Sequence, residues 1–376
     1  MMFTMAHRRV LAGLLLAVSC GAYLGCGHET NKMVAAQTLV ASGYLREDLG
    51  VSVICQQAQT LYGLRISDGH YVFSNDLGNT WVDTGGLVLG QPGAFQQCQF
   101  LHGFKFLSLS DGRIFRAAPN DWINWTEVSV SIRPPGTTFR PDNLVGNDTY
   151  LYYGNYSDVP AGGHVYRSAD NGASWVEVLS VSNAFEVHSI SIDPHRSDHI
   201  FVDLGDVGSA FPGYGLWYSS SNGDAGTFVH LSSEADDDGI DMVFRGTGST
   251  QDEILIESVG TSNAYILRYP DAGAPVPGRI MEFIVGDPNP PDGKGSLRGT
   301  GRCIALTSEG NLFWISKPEG APDRHRTGIW MAPGPLLNQP VLLEEINFVP
   351  FAKTFEQGPY LFVANSRIRK PTFHLQ

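Results

Sequence analysis

The chain has 376 residues, with 25 Lys and Arg against 38 Asp and Glu, a formal net charge of −13. An acidic balance with no basic stripe excludes nucleic acid and anionic membrane surface as main partners, because phosphate binding is built on clustered Lys and Arg. With 43 Gly, 22 Pro and only 17% charged residues, the sequence is rich in turns and poor in the charged faces of surface helices, which points to an all-β fold.

The N-terminus reads as an export leader. His7, Arg8 and Arg9 precede an uncharged apolar run, Val10 to Val18, that is too short to span a bilayer. Behind it, Leu16-Ala17-Val18-Ser19-Cys20 resembles the cleavage box of bacterial lipoproteins, with Tyr23-Leu24-Gly25-Cys26 as the alternative. The expected division is a signal peptide over 1–19, a linker over 20–37 and one domain over 38–376. Cleavage before Cys20 removes Arg8 and Arg9 and no acid, which moves the charge from −13 to −15. The expected location is the bacterial cell envelope, through a lipid anchor on Cys20 or Cys26, or the exterior as a secreted protein.

Past the leader, one hairpin recurs: an apolar strand, a polar turn with Gly, then an aromatic strand. It is spelled Leu64-Arg-Ile-Ser-Asp68-Gly69-His-Tyr-Val-Phe73 and again Phe106-Leu-Ser-Leu-Ser-Asp111-Gly112-Arg-Ile-Phe115, with the glycines 43 residues apart. Gly163 and Gly215 continue it at steps of 51 and 52. Weaker copies follow at 254–268, 304–314 and 360–369. Apolar alternation, β-branched and aromatic residues and Asp-Gly turns make these hairpins of strands. A period of this size marks a β-propeller.

Four antiparallel strands per blade are expected. In the first blade these are Val51–Gln56, Leu61–Ile66, His70–Phe73 and Trp81–Asp83. Cys55 and Cys98 each lie 14 residues before their hairpin glycine, which places both on inner strands of adjacent blades. Cys55, Cys98 and Cys303 are read as buried thiols or as including one disulfide. The last repeat lacks an outer strand, so an N-terminal strand near Thr38–Ala41 is expected to fill that place and close the ring. Seven blades are favoured, with six as the alternative.

Between the third and fourth strands the chain spells one octapeptide twice: Ser74-Asn-Asp76-Leu-Gly78-Asn-Thr80-Trp81 and Ser168-Ala-Asp170-Asn-Gly172-Ala-Ser174-Trp175. A short Asp carboxylate suits acceptance of backbone N–H groups across a tight turn, Gly suits a positive φ, and Trp folds back as an apolar plug. The segment resembles the Asp-box, or BNR repeat, of the sialidase superfamily. The resemblance implies a structural role for Ser74, Asp76, Gly78, Trp81, Ser168, Asp170, Gly172 and Trp175, on the rim away from the ligand face. The turn fades to Ala117–Trp125 in the second repeat and Ser220–Phe228 in the fourth.

The ligand face is then built by the connections between blades and between second and third strands. Candidate ligand-binding residues are Arg133, Phe139, Arg140, Tyr156, Phe211 and Tyr214, because aromatic faces stack on sugars beside polar groups. A hydrolase needs two carboxyl groups roughly 5–9.5 Å apart, and the candidates are Asp206 with one of Asp236, Asp237 and Asp238. The sialidase pattern Phe/Tyr-Arg-Ile-Pro is absent from the sequence, so no catalytic residue is carried over from that family. Xyloglucanase-like glycosidases and photosystem assembly factors, which also combine such turns with seven blades, represent the two readings of hydrolase and partner-binding scaffold.

The Asp236–Asp241 run lacks the ligand spacing of a calcium loop, and His188 and His195 lack zinc spacing. No metal and no cofactor is expected. The sequence is thus read as an exported, monomeric Asp-box propeller that binds a glycan or protein, with a glycoside hydrolase as the alternative.

Overall fold

The fold is seen in a computed structural model. It describes residues 39–89, 96–109, 111–132, 143–155, 162–182, 186–205, 215–231, 239–245, 252–258, 264–269, 281–283, 300–317, 327–334, 341–346 and 354–375.

Two short N-terminal strands, β1 (Leu39–Ser42) and β2 (Leu45–Asp48), precede the first blade. Blade I holds β3 (Val51–Gln57), β4 (Thr60–Arg65), β5 (His70–Ser74) and β6 (Val82–Leu87). Blade II holds β7 (Gln96–Leu101), β8 (Phe104–Leu109), β9 (Ile114–Ala117) and β10 (Thr126–Glu127). Blade III holds β11 (Leu144–Gly146), β12 (Leu151–Gly154), β13 (Gly163–Ser168) and β14 (Val176–Val181). Blade IV holds β15 (Glu186–Asp193), β16 (Arg196–Gly205), β17 (Gly215–Ser219) and β18 (Val229–His230).

Blade V follows with β19 (Gly239–Arg245), β20 (Asp252–Ser258), β21 (Ala264–Tyr269) and β22 (Met281–Phe283). Blade VI has β23 (Thr300–Leu306), β24 (Leu312–Lys317), β25 (Thr327–Ala332) and β26 (Val341–Ile346). Blade VII has β27 (Thr354–Gln357), β28 (Tyr360–Val363) and β29 (Ser366–Arg369), and β30 (Thr372–Leu375) ends the chain. The described strands thus form seven four-stranded antiparallel sheets, a β-propeller.

Strand boundaries in blade I follow the expected ones within a residue or two, except that β6 runs on to Leu87. Gly69 and Gly112 adopt φ of 73° and 83° in the hairpin turns, a conformation that costs glycine little. Closure differs from the expectation. The segment near Thr38–Ala41 does not complete the last blade: β1 pairs with β30 in a separate two-stranded ribbon, and β2 is the fourth strand of blade VII, beside β29. Charge explains the choice, since only β2 carries side chains matched to this edge. Arg46 forks onto Glu344 of β26 with two bonds of 2.9 Å, the Tyr44 hydroxyl donates to the same carboxylate at 2.6 Å, and Glu47 accepts from Arg367 of β29 at 2.9 Å.

Apolar residues from each sheet pack against the next, so the core is a ring of junctions. Val53, Leu61 and Phe362 join blade VII to I, and Phe106, Ile114, Leu144 and Leu151 join II to III. Tyr152, Val187, Ile190 and Val202 join III to IV, and Phe201, Tyr218 and Met242 join IV to V. Phe313, Ile315, Leu361 and Ile368 join VI to VII. Cys55 and Cys98 are free thiols buried together between blades I and II, and burial raises the Cys55 pKa.

The two octapeptides fold alike. Ser74 Oγ accepts from the Gly78 amide at 2.9 Å and donates to Asp76 at 2.8 Å, while Asp76 accepts from the amide and hydroxyl of Thr80 at 2.9 and 2.7 Å. Ser168, Asp170, Gly172 and Ser174 repeat each bond within 0.2 Å. The Thr80 and Ser174 hydroxyls, with their amides, hold Asp76 and Asp170 at pKa values of about 2. Blade IV keeps a relic in which Ser219 accepts from Gly223 at 3.1 Å and Ser221 stands where the Asp would be.

Each such turn is gripped by an arginine from the preceding blade. Arg367 donates to the Leu77 carbonyl at 2.7 Å, Arg116 to Asn171 at 2.8 Å and Arg167 to Asn222 at 2.6 Å. All three acceptor residues have positive φ, between 53° and 62°. Each guanidinium also lies over an aromatic ring on the neighbouring second strand or just before it: Tyr360 at 5.0 Å, Phe104 at 4.9 Å and Tyr150 at 4.3 Å. The exception is consistent. At the junction of blades I and II, Phe73 and Thr60 occupy the arginine and aromatic positions, and the blade II turn has no octapeptide. There the blade II turn is held from within its own blade: Lys105 of β8 is buried and donates to the carbonyls of Asp121 and Pro119 at 2.7 and 3.3 Å, with its ammonium 3.6 Å above Trp122. Burial lowers its pKa to about 8.

Replacing Arg167 with Met removes a charge-assisted bond worth about 1.5–3 kcal/mol. The thermal midpoint by calorimetry should fall by about 2–4 °C. Arg65→Met, which breaks only the exposed pairs with Asp68 and Asp83, should shift it by less than about 1.5 °C. Equal shifts would show that the arginine grip does not join blades.

Candidate functional site

Turns between first and second strands share one end of the ring with the octapeptides. Connections between blades, and between second and third strands, share the other end, here the loop face. The first strands of blades I to VII touch one another in order, and β28 of blade VII meets β3 of blade I, so the first strands surround the axis. A polar site has been built into these inner strands on the loop-face side of blade IV.

The segment Glu186-Val187-His188-Ser189 opens β15. Val187 faces blade III and is pinned from there by two asparagines: Asn143 Nδ2 donates to the Val187 carbonyl at 2.5 Å, and the Val187 amide donates to the Asn155 carbonyl at 2.7 Å. Asn155 is itself fixed, its Nδ2 donating to the Gly162 carbonyl at 2.9 Å. The register then slips between Val187 and Ser189, which leaves His188 as the extra residue of a β-bulge. Bulges of this kind re-aim a side chain.

The His188 imidazole lies against the backbone of Gly205, where a Cβ would fall inside the ring. Glu186 then fixes it, with its Oε1 at 2.9 Å from Nε2. Asp203 stands two residues before Gly205, opposite Ser189, and Glu186 stands opposite Gly205. Glu186, Ser189 and Asp203 therefore project from one side of the sheet, the side of Phe201 that packs toward Met242 of blade V. Glu186 is 2% exposed, His188 3% and Asp203 0%. Three ionisable side chains at that depth are costly unless paired, and the carboxylate–imidazole pair is one such pairing.

Two further polar groups lie on inner strands. Ser189 Oγ and both amide atoms of Gln97 on β7 are buried without a hydrogen-bond partner. Each group left so costs about 1–3 kcal/mol. Gln97 neighbours blade III, where the adjacent Gln99 donates to the Leu144 carbonyl. Polar groups at the loop-face ends of blades II, III and IV thus form an arc in ring order, Gln97, Asn143, Asn155, Glu186, His188 and Ser189, in which Gln97 faces blade III and Glu186 and Ser189 face blade V. The arc can donate and accept hydrogen bonds, and His188 can take up or release a proton beside a carboxylate. Among the described residues no group of three His, Cys, Asp or Glu could hold a metal ion.

The expected ligand-binding residues Arg133, Phe139, Arg140, Tyr156, Phe211 and Tyr214 lie outside the described residues. So do the acid candidates Asp206, Asp236, Asp237 and Asp238, and Cys20 and Cys26. The described strands that flank the segments 133–142, 156–161, 206–214 and 232–238 end on the loop face, and Asp206 directly follows Gly205. The octapeptide residues Ser74, Asp76, Gly78, Trp81, Ser168, Asp170, Gly172 and Trp175 stand at the opposite end. The Trp175 indole there donates to the Val128 carbonyl of the preceding blade at 2.8 Å.

Gln97, Glu186, Ser189 and Asp203 belong to no motif in the sequence, and His188 stands there only as a histidine without zinc spacing. Two signals were present. Asp203 interrupts the apolar run Ile200–Leu204, and Glu186, His188 and Ser189 crowd a strand whose neighbours Val187 and Ile190 are core residues.

No family model matches the chain, and no curated protein matches it in sequence. Among solved structures, the GH74 xyloglucanase from Xanthomonas campestris is similar at a TM-score of 0.54 and 12% identity, covering 86% of this chain. The match takes in 52% of the xyloglucanase, so this chain spans about half its length. YCF48 from Cyanidioschyzon merolae is similar at a TM-score of 0.53 and 11% identity, covering 88% of this chain and 99% of its own. A structure of YCF48 bound to D1 peptide scores 0.51 at 10% identity, covering 88% and 97%. These likenesses establish the propeller fold.

The bulge and the glycine make a testable pair. Gly205→Ala should destabilise the protein by about 1–3 kcal/mol through overpacking against the imidazole. Adding His188→Ala should recover most of that loss in urea unfolding. If the second substitution only adds to the first, the imidazole does not rest on Gly205.

Proposed function

We propose that the protein is an exported Asp-box propeller, a monomer held in the envelope through Cys20 or secreted, that binds a glycan or protein ligand on its loop face. The observation that carries this reading is the placement of His188. A bulge, a glycine and a carboxylate hold one imidazole at that end of the inner strands, and two asparagines from the preceding blade pin the residue before it. Such convergence spends stability on geometry, which is the signature of a site that acts on something outside the fold. The opposite end is occupied by structural turns. The likeness to a xyloglucanase and to YCF48 bound to a peptide supplies the two ligand classes worth testing, glycan and polypeptide.

A glycoside hydrolase is the second reading, and one observation favours it. Glu186 and Asp203 project from the same side of paired strands, Asp203 two residues from the position opposite Glu186. Two carboxyl groups on one side of one sheet are what a glycosidase requires. Binding is preferred because Glu186 is already committed to His188.

A glycan array with the purified propeller, run beside a screen for reducing-end release on the same sugars, separates the readings. Binding without release is expected, with His188→Gln weakening affinity at least about tenfold. Release that is lost in Asp203→Asn or Asp206→Asn would replace binding with hydrolysis. No glycan signal would leave a polypeptide as the ligand.

A further inference from the structure

Cys55 and Cys98 meet at the junction of blades I and II through a device of the backbone. Val53 packs toward blade VII with Phe362, and in a regular strand the residue two positions on would share its side. The register of β3 against β4 slips between Val53 and Cys55, which leaves Ile54 as an extra residue. The bulge turns Cys55 to the opposite side, into the cluster that holds Cys98, Tyr71, Leu107 and Trp122. Cys98 arrives there by plain alternation, since its neighbour Gln99 reaches the other way, to Leu144 of blade III. Both thiols are 1% exposed, and Cys55 is hydrogen-bonded to Cys98.

The same junction lacks the arginine grip. Arg367, Arg116 and Arg167 tie the turns of blades I, III and IV to the blade before each, whereas Lys105 holds the blade II turn from within blade II. Two thiols in contact across adjacent inner strands are the material of a covalent tie. A metal site with four ligands is set aside, because among the described residues no third His, Cys, Asp or Glu joins the pair.

We propose that Cys55 and Cys98 are a modification site, joined by a disulfide that staples blade I to blade II where the arginine grip is missing. The tie is independent of any ligand of the loop face. The oxidant is itself a disulfide, of the class that an exported chain meets. The thiolate of one cysteine attacks a sulfur of the oxidant, which leaves a mixed disulfide and releases one thiol. The thiolate of the other cysteine then attacks the protein sulfur and releases the second thiol. Two electrons and the two cysteine protons pass to the oxidant, whose S–S bond breaks as the Cys55–Cys98 bond forms. Burial opposes the Cys55 thiolate, and the Lys105 ammonium, 3.6 Å above Trp122 of the same cluster, favours it. Both sulfurs are covered once the junction has closed, so the bond is made while blades I and II are still coming together.

The test starts from the full chain, unfolded in urea with reductant and refolded by dilution into a mixture of reduced and oxidised glutathione. Free thiols are then blocked with iodoacetamide, and the digest is mapped by mass spectrometry. A peptide pair linked through Cys55 and Cys98, two hydrogens lighter than the reduced pair, is expected. The residues are 43 positions apart, so the bond removes a long loop from the unfolded chain. The oxidised protein should therefore melt about 3–6 °C above the reduced one, and the difference should vanish in Cys55→Ala and in Cys98→Ala. Alkylated thiols at both positions would overturn the proposal, as would glutathione, Cys20, Cys26 or Cys303 as the partner of either. A linked pair whose reduction leaves the thermal midpoint unchanged would show that the bond staples nothing. Should either variant fail to fold, the map of the parent chain and its two midpoints decide the matter.

Discussion

Every sheet here depends on the sheets beside it, because each has two apolar faces and no helix among the described residues to cover them. Seven such sheets satisfy one another only if the last meets the first. The strand Leu45–Asp48 makes that meeting possible: drawn from the N-terminal side of blade I, it becomes the outer strand of blade VII and ties the chain ends together. Its side chains are fitted to the task. Arg46 reaches back to blade VI, Glu47 takes the Arg367 guanidinium, and that same guanidinium reaches forward to the Leu77 carbonyl of blade I. One strand therefore couples three blades.

The junctions of blades II with III and III with IV reuse one arm of that device. An arginine stacked on an aromatic ring reaches across to a carbonyl in the next blade's turn, and the turn's Trp can return the contact, as the bond from Trp175 to Val128 shows. The junction of blades I and II departs from this pattern on both sides together. It loses arginine, aromatic and octapeptide at once, and the blade II turn is held instead by a buried lysine of its own blade. The octapeptide is thus one half of a joint between blades, which is why Asp76 and Asp170, chemically inviting as they are, sit far from the polar arc.

Much of this architecture was legible in the sequence because it is local. Hairpins show as alternation around Asp-Gly, and the octapeptide shows as seven side chains within one turn, so blade I could be drafted almost to the residue. What could not be read depends on partners distant in the chain. Whether residues near 38–41 or 45–48 close the ring is decided by Glu344 and Arg367, some 300 positions away. His188 becomes a site residue through a register slip, and a slip is a property of two strands. Gln97 draws notice because nothing meets it, a fact of packing that no spacing records. The loop carboxylates and aromatics singled out by chemistry alone are joined to strands that end at this face, but the inner-strand arc is where the described structure concentrates its polar groups.

The central claim is that the strand Leu45–Asp48 is a full member of the closing sheet and that the ring opens as one unit. Native-state hydrogen exchange read by mass spectrometry addresses it directly. Amides across Leu45–Asp48 and Ser366–Arg369 should exchange with the same opening free energy as those of the inner strands Val51–Gln57 and Glu186–Asp193, because ring opening exposes all of them together. Exchange of Leu45–Asp48 through a separate, low-energy opening, with the inner strands still protected, would mean that the ring holds without its clasp.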